Sequence, residues 1–186
     1  MVEQPEIRTE RLILRPFSLD DVDDVTTLVG DRDIASTTLR IPYPYDKRMA
    51  EEWIQSHQPR LVLDEGVVFA VTLIDSDQLI GSIGLEVERY FQRAELGYWI
   101  GKPFWNHGYA TEGSAAVIDY GFNSLGLNRI YASHFVRNAG SKRVMEKNGM
   151  KFEGCMRQHI VKWGLFEDMN YYAILREEHQ KLNSPG

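Results

Sequence analysis

The sequence predicts a mixed α/β domain, one sheet with helices packed on it. Three observations carry this. The middle of the chain holds three strand-length apolar runs in succession, Val67–Ile74, Leu79–Glu88 and Ala94–Ile100. Beyond them helical and strand patterns alternate, as they do when helices cover a sheet. The chain of 186 residues is 43% hydrophobic and 26% charged, an ordinary folded composition at a length that suits one domain. The whole chain, 1–186, is therefore read as one unit with its core at about 8–177.

The elements follow in order. Arg11–Phe17 (RLILRPF) alternates apolar and basic residues and reads as a strand. Ser18 begins a capping-box pattern, and Leu19, Val22, Val25, Leu28 and Val29 would form the buried stripe of the helix it starts. Two prolines keep Ile41–Tyr45 out of helix. A second helix is expected from Asp46 to about Leu63, interrupted or bent at Pro59. Asp75–Asp77 makes a turn between the first two central strands. Tyr109–Phe122 reads as a helix with Ser114, Val117, Ile118 and Gly121 on one face. Arg129–Phe135 reads as a strand, and Asn138–Asn148 as a short helix stopped by Gly149. Met150–Val161 and Glu167–Leu175 would close as a hairpin across Lys162–Gly164.

Composition excludes several classes of function. One cysteine, Cys155, leaves no disulfide framework and no thiolate zinc cluster. The five histidines lack ligand spacing, so no metal is expected. A net charge of −6 argues against a nucleic-acid partner. The polar, acidic stretch Met1–Glu10 does not read as a signal peptide, and the longest apolar run, Val67–Ile74, is too short to span a bilayer. A soluble cytoplasmic protein without membrane partners is the expectation.

The segment Ala94–Glu112 (AELGYWIGKPFWNHGYATE) carries the chemistry. A strand runs into a Pro-containing loop and then into a helix starting near Gly108. Backbone N–H groups at such a start lack internal partners, and the helix dipole adds positive potential. Gly108 and Ala110 let a ligand approach the backbone. In physical terms this suits a pyrophosphate, although neither a P-loop nor a Rossmann fingerprint is present.

WNHGYATE resembles the phosphate-binding motif of the GNAT superfamily of N-acetyltransferases, in its RimJ/RimL-type branch. Trp105 stands where the superfamily pattern has Gln or Arg. The opening TERLILRPF (Thr9–Phe17) is similar to the family's first strand. Asn138–Ser141 with Val144, Glu146–Lys147 and Gly149–Met150 is similar to its later helix, and Glu153–Gly154 with Arg157 to the strand that follows.

The resemblance implies a twisted, mostly antiparallel mixed sheet of six or seven strands with about four helices. It also implies acetyl-CoA as cosubstrate and an amine as acceptor. The pyrophosphate would rest on the backbone amides of Asn106, His107, Gly108, Tyr109, Ala110 and Thr111. The pantetheine arm would pair with the strand at Tyr98, Trp99 and Ile100, and Asn138 would bond its end. Family members often carry a Tyr seven residues after that Asn as the acid for the departing thiolate. Met145 stands there, and Ser141 is the substitute. The branch makes a protein N-terminal amine the first acceptor to expect. A small amine, or an inactive acyl-CoA-binding module, are the alternatives. Homodimers occur in the superfamily, so the resemblance also allows one here.

Glu95, on the strand before the loop, is the candidate general base. It would share a face with Gly97 and Trp99. Apolar surroundings would raise its pKa toward a useful range; the competing reading pairs it with Arg89 or Arg93 at the surface. A base matters most for a lysine-like amine, which costs about 4.6 kcal/mol to deprotonate at pH 7, against about 1.2 kcal/mol for an α-amine. Asn138 and Ser141 have a competing reading as helix caps. Tyr43 and Tyr45, with Trp53, are expected to line the acceptor pocket, against aromatic packing over the core.

Overall fold

The computed structural model describes residues 3–183. Eight strands form one sheet: β1 (Ile7–Arg8), β2 (Leu12–Arg15), β3 (Gly66–Leu73), β4 (Leu79–Glu88), β5 (Arg93–Ile100), β6 (Arg129–Phe135), β7 (Lys151–Lys162) and β8 (Leu165–Leu175). Their order across the sheet is β1-β2-β3-β4-β5-β6-β8-β7. Every neighbouring pair is antiparallel except β5 and β6. The mixed, mostly antiparallel architecture is the one expected. The eighth strand is the two-residue β1, too short to leave a period in the sequence.

Around the sheet lie α1 (Val22–Val29), α2 (Arg32–Thr37), α3 (Lys47–Gln55), α4 (His57–Val62), α5 (Tyr109–Asn123), α6 (Ala139–Lys147) and α7 (Arg176–Asn183). The helix expected over 46–63 is interrupted, but at Ser56 rather than at Pro59. The chain turns at Ser56, and Pro59 falls in the first turn of α4, where its missing N–H breaks no helical bond. Helices α2 and α7 were not expected. The first is six residues capped by Asp31, and the second has no buried stripe that would mark it.

The larger core lies between the sheet and α5. Val117, Ile118 and Phe122 pack there on Ile83, Leu85 and Ile130, all essentially without exposure. Burying each such side chain contributes about 1.5–3 kcal/mol. A second, smaller core on the opposite face joins α1 and α3 to Ala70, Leu79 and Trp99.

One irregularity positions the site. β5 and β6 pair only at Arg93–Glu95 with Arg129–Tyr131. Past Glu95, β5 keeps its pairing with β4 as far as Ile100, while β6 continues along β8 to Phe135. The two parallel strands part, and the sheet opens between them. Each strand has an antiparallel partner on its other side to follow.

Candidate active site

Two cavities meet in this opening. One, of about 480 Å³, lies between the end of β5, the loop before α5, and the start of α6. The other, of about 260 Å³, lies on the Glu95 face of the sheet, under the segment that follows α2. Thr37, Thr38, Tyr98, Trp99 and Ser141 line both.

The larger cavity is built from backbone. Asn106 and Gly108 take positive φ values of 64° and 84°, which turn the loop sharply into α5. The first helical bond is Glu112 N–H to Gly108 O, so the amides of Tyr109, Ala110 and Thr111 precede the helical ladder. Gly108, Tyr109, Ala110, Thr111 and Asn106 all line the cavity. His107 does not; its exposed ring stacks on Tyr109. The loop is clamped from behind. Arg11 donates to Glu112 and, at 3.0 Å, to the His107 carbonyl, while Thr9 donates to Glu112 at 2.6 Å. Trp105 Nε1 donates to Ile100 O at 2.6 Å and ties the loop to the end of β5. The sequence marks Trp105 as a departure from the family pattern; here it is an anchor. Arg143 and Lys147, one turn apart on α6, bring positive charge to the same cavity.

Asn138 and Ser141 stand at the junction. Asn138 caps α6 by accepting from Ser141 N–H at 3.1 Å, and donates to Ser141 Oγ at 3.1 Å and to Thr37 O at 3.4 Å. The capping reading therefore describes its carbonyl, while the residue still lines the larger cavity. Met145, at 2% exposure, belongs to the core and offers nothing to the cleft. The Tyr98 hydroxyl donates to Ser141 O at 3.3 Å. Burial pushes that phenol up to about 12, so it stays a proton-bearing donor at neutral pH. Sequence reasoning assigns Tyr98 a backbone role only; its side chain lies between the two cavities.

The smaller cavity is built from side chains. Glu95 faces it, on the side of β5 shared with Gly97 and Trp99, as strand alternation requires. Its carboxylate accepts from Ser133 Oγ on β6 at 3.3 Å. Burial raises its pKa, opposed by Arg40 and by the Ser133 bond. The two arginines weighed as surface partners are engaged elsewhere, Arg93 with Glu88 and Arg89 with Asp64. A Cβ placed on Gly97 would meet no atom within 4 Å, so the absent side chain leaves the strand open to the cavity beside Glu95. Glu86, opposite Glu95 on β4, pairs with both Arg40 (2.6 Å) and Arg60 (3.2 Å). None of Arg40, Arg60 or Ser133 was singled out from the sequence, where they lie far apart.

Tyr43 and Tyr45 line neither cavity. Tyr43 is exposed and meets Trp163 at 6.3 Å between ring centroids, and Tyr45 packs half-buried on the second core. The neighbouring residues Leu39, Arg40 and Ile41, together with Trp53, form the wall instead. This stretch of the wall ends at Ile41, one residue before the first of the two prolines that flank Tyr43. Among the described residues, no helix is long and apolar enough to cross a membrane, and no group of three His, Cys, Asp or Glu residues could hold a metal ion.

The cleft has helix-start amides at one end and the half-buried Glu95 carboxylate at the other, and the chain that builds it is similar to known acetyltransferases. The acetyltransferase (GNAT) domain model matches residues 11–151. The N-acetyltransferase YoaA of Bacillus subtilis, itself uncharacterized, is 32% identical over 182 residues, covering 92% of this chain and 97% of that protein. The ribosomal-protein-serine acetyltransferase of Escherichia coli is 30% identical over 102 residues, 54% of this chain and 57% of that protein. A crystal structure of a GNAT-family acetyltransferase from Bacillus anthracis superposes with a TM-score of 0.82 at 30% identity, covering 93% of this chain and 99% of that one. The chain belongs to the GNAT superfamily of N-acetyltransferases, with RimJ/RimL-type ribosomal-protein acetyltransferases among its neighbours.

Proposed function

We propose that this N-acetyltransferase takes acetyl from acetyl-CoA and delivers it to the primary amine of a small molecule. The observation that carries this reading is the meeting of two cavities of unequal build at Tyr98 and Ser141. The larger, with its helix-start amides and two α6 cations, suits the phosphates and pantetheine arm of CoA. The smaller suits an acceptor of limited size. The branch makes a protein N-terminus the first expectation. What favours a small amine is the segment over the acceptor cavity, which is fastened down: Lys162 donates to Leu39 O (3.3 Å) and Ile41 O (2.9 Å).

The chemistry follows from the residues that face the junction. Glu95 takes a proton from the acceptor ammonium, directly or through water. The neutral nitrogen attacks the thioester carbonyl carbon, a C–N bond forms and the C–S bond breaks. The second amine proton ends on the CoA sulfur, relayed by the Ser141 hydroxyl or a water; Tyr98 is a further hydroxyl within the same junction. The products are an amide, CoA thiol and a protonated Glu95 that then releases its proton. Ser133 holds Glu95 toward the gap.

Release of CoA thiol from acetyl-CoA across a panel of amines tests this. Small amines should support release, and peptides with free N-termini should be poorer by at least tenfold in kcat/KM. Faster turnover of peptides would restore the N-terminal reading. No release by any amine, with acetyl-CoA still raising the Tm, would favour the binding-module alternative.

A further inference from the structure

The acceptor cavity has a charge pattern that selects among small amines, and an inference from it rests on the small-amine reading above. Four ionisable side chains line it among those of standing charge: Arg40, Arg60, Glu86 and Glu95. Glu86 lies between the two guanidinium groups and pairs with both, leaving two positive charges against one. Glu95 is the remaining negative charge, and it is the group that receives the amine proton.

The consequence differs by acceptor. With a plain monoamine, the cavity holding the ammonium and an ionised Glu95 carries one positive charge in excess. A polyamine makes that excess larger, with no free carboxylate to meet its further ammonium groups. An acceptor that carries its own carboxylate leaves the cavity neutral. Unbalanced charge in a half-buried site is unfavourable, so this difference bears on binding.

Arg40 is also placed with care. It lies between Leu39 and Ile41, and the carbonyls on both sides of it accept from the same Lys162 Nζ. Lys162 is itself only 8% exposed, and among the described residues no carboxylate is found in an ion pair with it; these two carbonyls are its hydrogen-bond acceptors. The next residue of the hairpin, Trp163, packs against Tyr43 and under Arg32. A buried ammonium spent on two backbone carbonyls fixes the backbone that presents Arg40. The Arg40 side chain, 68% exposed, keeps donors beyond those used by Glu86.

We propose that the acceptor is an amino acid or a similar molecule bearing a carboxylate close to its primary amine, with Arg40 receiving the carboxylate while Glu95 faces the amine.

The test compares matched acceptors that differ only in the carboxylate: L-leucine, L-methionine and L-phenylalanine, each beside its α-amide and its decarboxylated amine. The amide has the lower ammonium pKa and is chemically the easier nucleophile at neutral pH, so a preference for the acid reports recognition. In the unaltered protein the acid should exceed the amide by about tenfold in kcat/KM, the low end for a charge-assisted hydrogen bond at a partly exposed site. Arg40→Gln should bring that ratio to within about twofold, and Arg40→Lys should retain part of it. An acid-to-amide ratio near one in the unaltered protein, or a ratio that survives Arg40→Gln, would overturn the inference while leaving small-amine acetylation intact. Turnover of peptides alone, or of no amine, would instead remove the reading on which it rests.

Discussion

The two halves of the cleft are made of different materials. The half proposed for the cosubstrate is mainly backbone from one stretch of chain, residues 98–111, with α6 closing its side. The half proposed for the acceptor is mainly side chains drawn from α2 and its following segment, α3, α4, α6 and five strands, so that Arg40 and Ser133, which both act on Glu95, come from positions more than ninety residues apart. On the proposed assignment, this division would let one reaction be kept while the acceptor changes. Backbone amides serve any sequence that keeps the loop's shape, whereas each acceptor-side contact depends on a side chain that can be exchanged without disturbing the loop.

The same difference governs what could be read in advance. The loop was legible because its signals are local: a Gly, a Pro before it, and a helical pattern directly after. Strand alternation likewise assigned Glu95 to the face it occupies. The acceptor side was not legible, since nothing in the segment around Arg40 says that β4 will bring Glu86 beneath it. Tyr43 and Tyr45 drew notice as aromatics beside prolines, but their direction is set by Trp163 and by the second core, both distant in sequence. Helix α2 was hidden for a related reason: its Asp31 cap is a clear start signal, but six residues give no period to confirm it.

The sharpest way to break the comparison is to remove the acceptor-side carboxylate. Glu95→Gln should lower kcat by about 10²–10³, within the range for loss of a general base. The direction of the Glu95 pKa adds a second expectation. Burial holds it above the usual carboxylate value, and the base must be ionised to work. The acidic limb of the pH–kcat profile should therefore lie above that of an exposed glutamate and vanish in the variant. A profile with the same acidic limb in both proteins would assign it to another group.

A smaller effect should come from the backbone side. Gly108→Val places a β-branched residue at a φ of 84°. The loop must then adjust, and acetyl-CoA affinity should fall by about tenfold. Because an added Cβ would approach only Arg11, at 3.5 Å, the cost is conformational and the fold should persist. Unchanged affinity would mean that the loop's shape is not what holds the cosubstrate.

The smallest effect on turnover, though not on stability, concerns the support behind the acceptor wall. His57 is 9% exposed, without a hydrogen-bond partner for either ring nitrogen, and lies against Trp53 at 4.5 Å and Phe17 at 5.4 Å. Burial, with Arg60 nearby, lowers its pKa to about 4. The folded protein thus keeps His57 neutral while the unfolded chain takes a proton near the ordinary value of 6.5. Its contribution is full above that pH and is lost as pH falls toward 4, by about 2–3 kcal/mol. Urea unfolding at pH 7 and pH 4.5 should show a steeper loss for the unaltered protein than for His57→Leu. Equal losses would place the protonation elsewhere.

The division of labour between the two halves is tested most directly by measuring CoA affinity calorimetrically and thiol release kinetically on Glu95→Gln and Gly108→Val side by side. Glu95→Gln should lose kcat by about 10²–10³ with CoA affinity within about twofold of the unaltered protein. Gly108→Val should lose affinity and recover most of its kcat at saturating acetyl-CoA. Loss of CoA affinity in Glu95→Gln as large as its loss of turnover would contradict the division, as would a Gly108→Val defect that saturating acetyl-CoA leaves uncorrected.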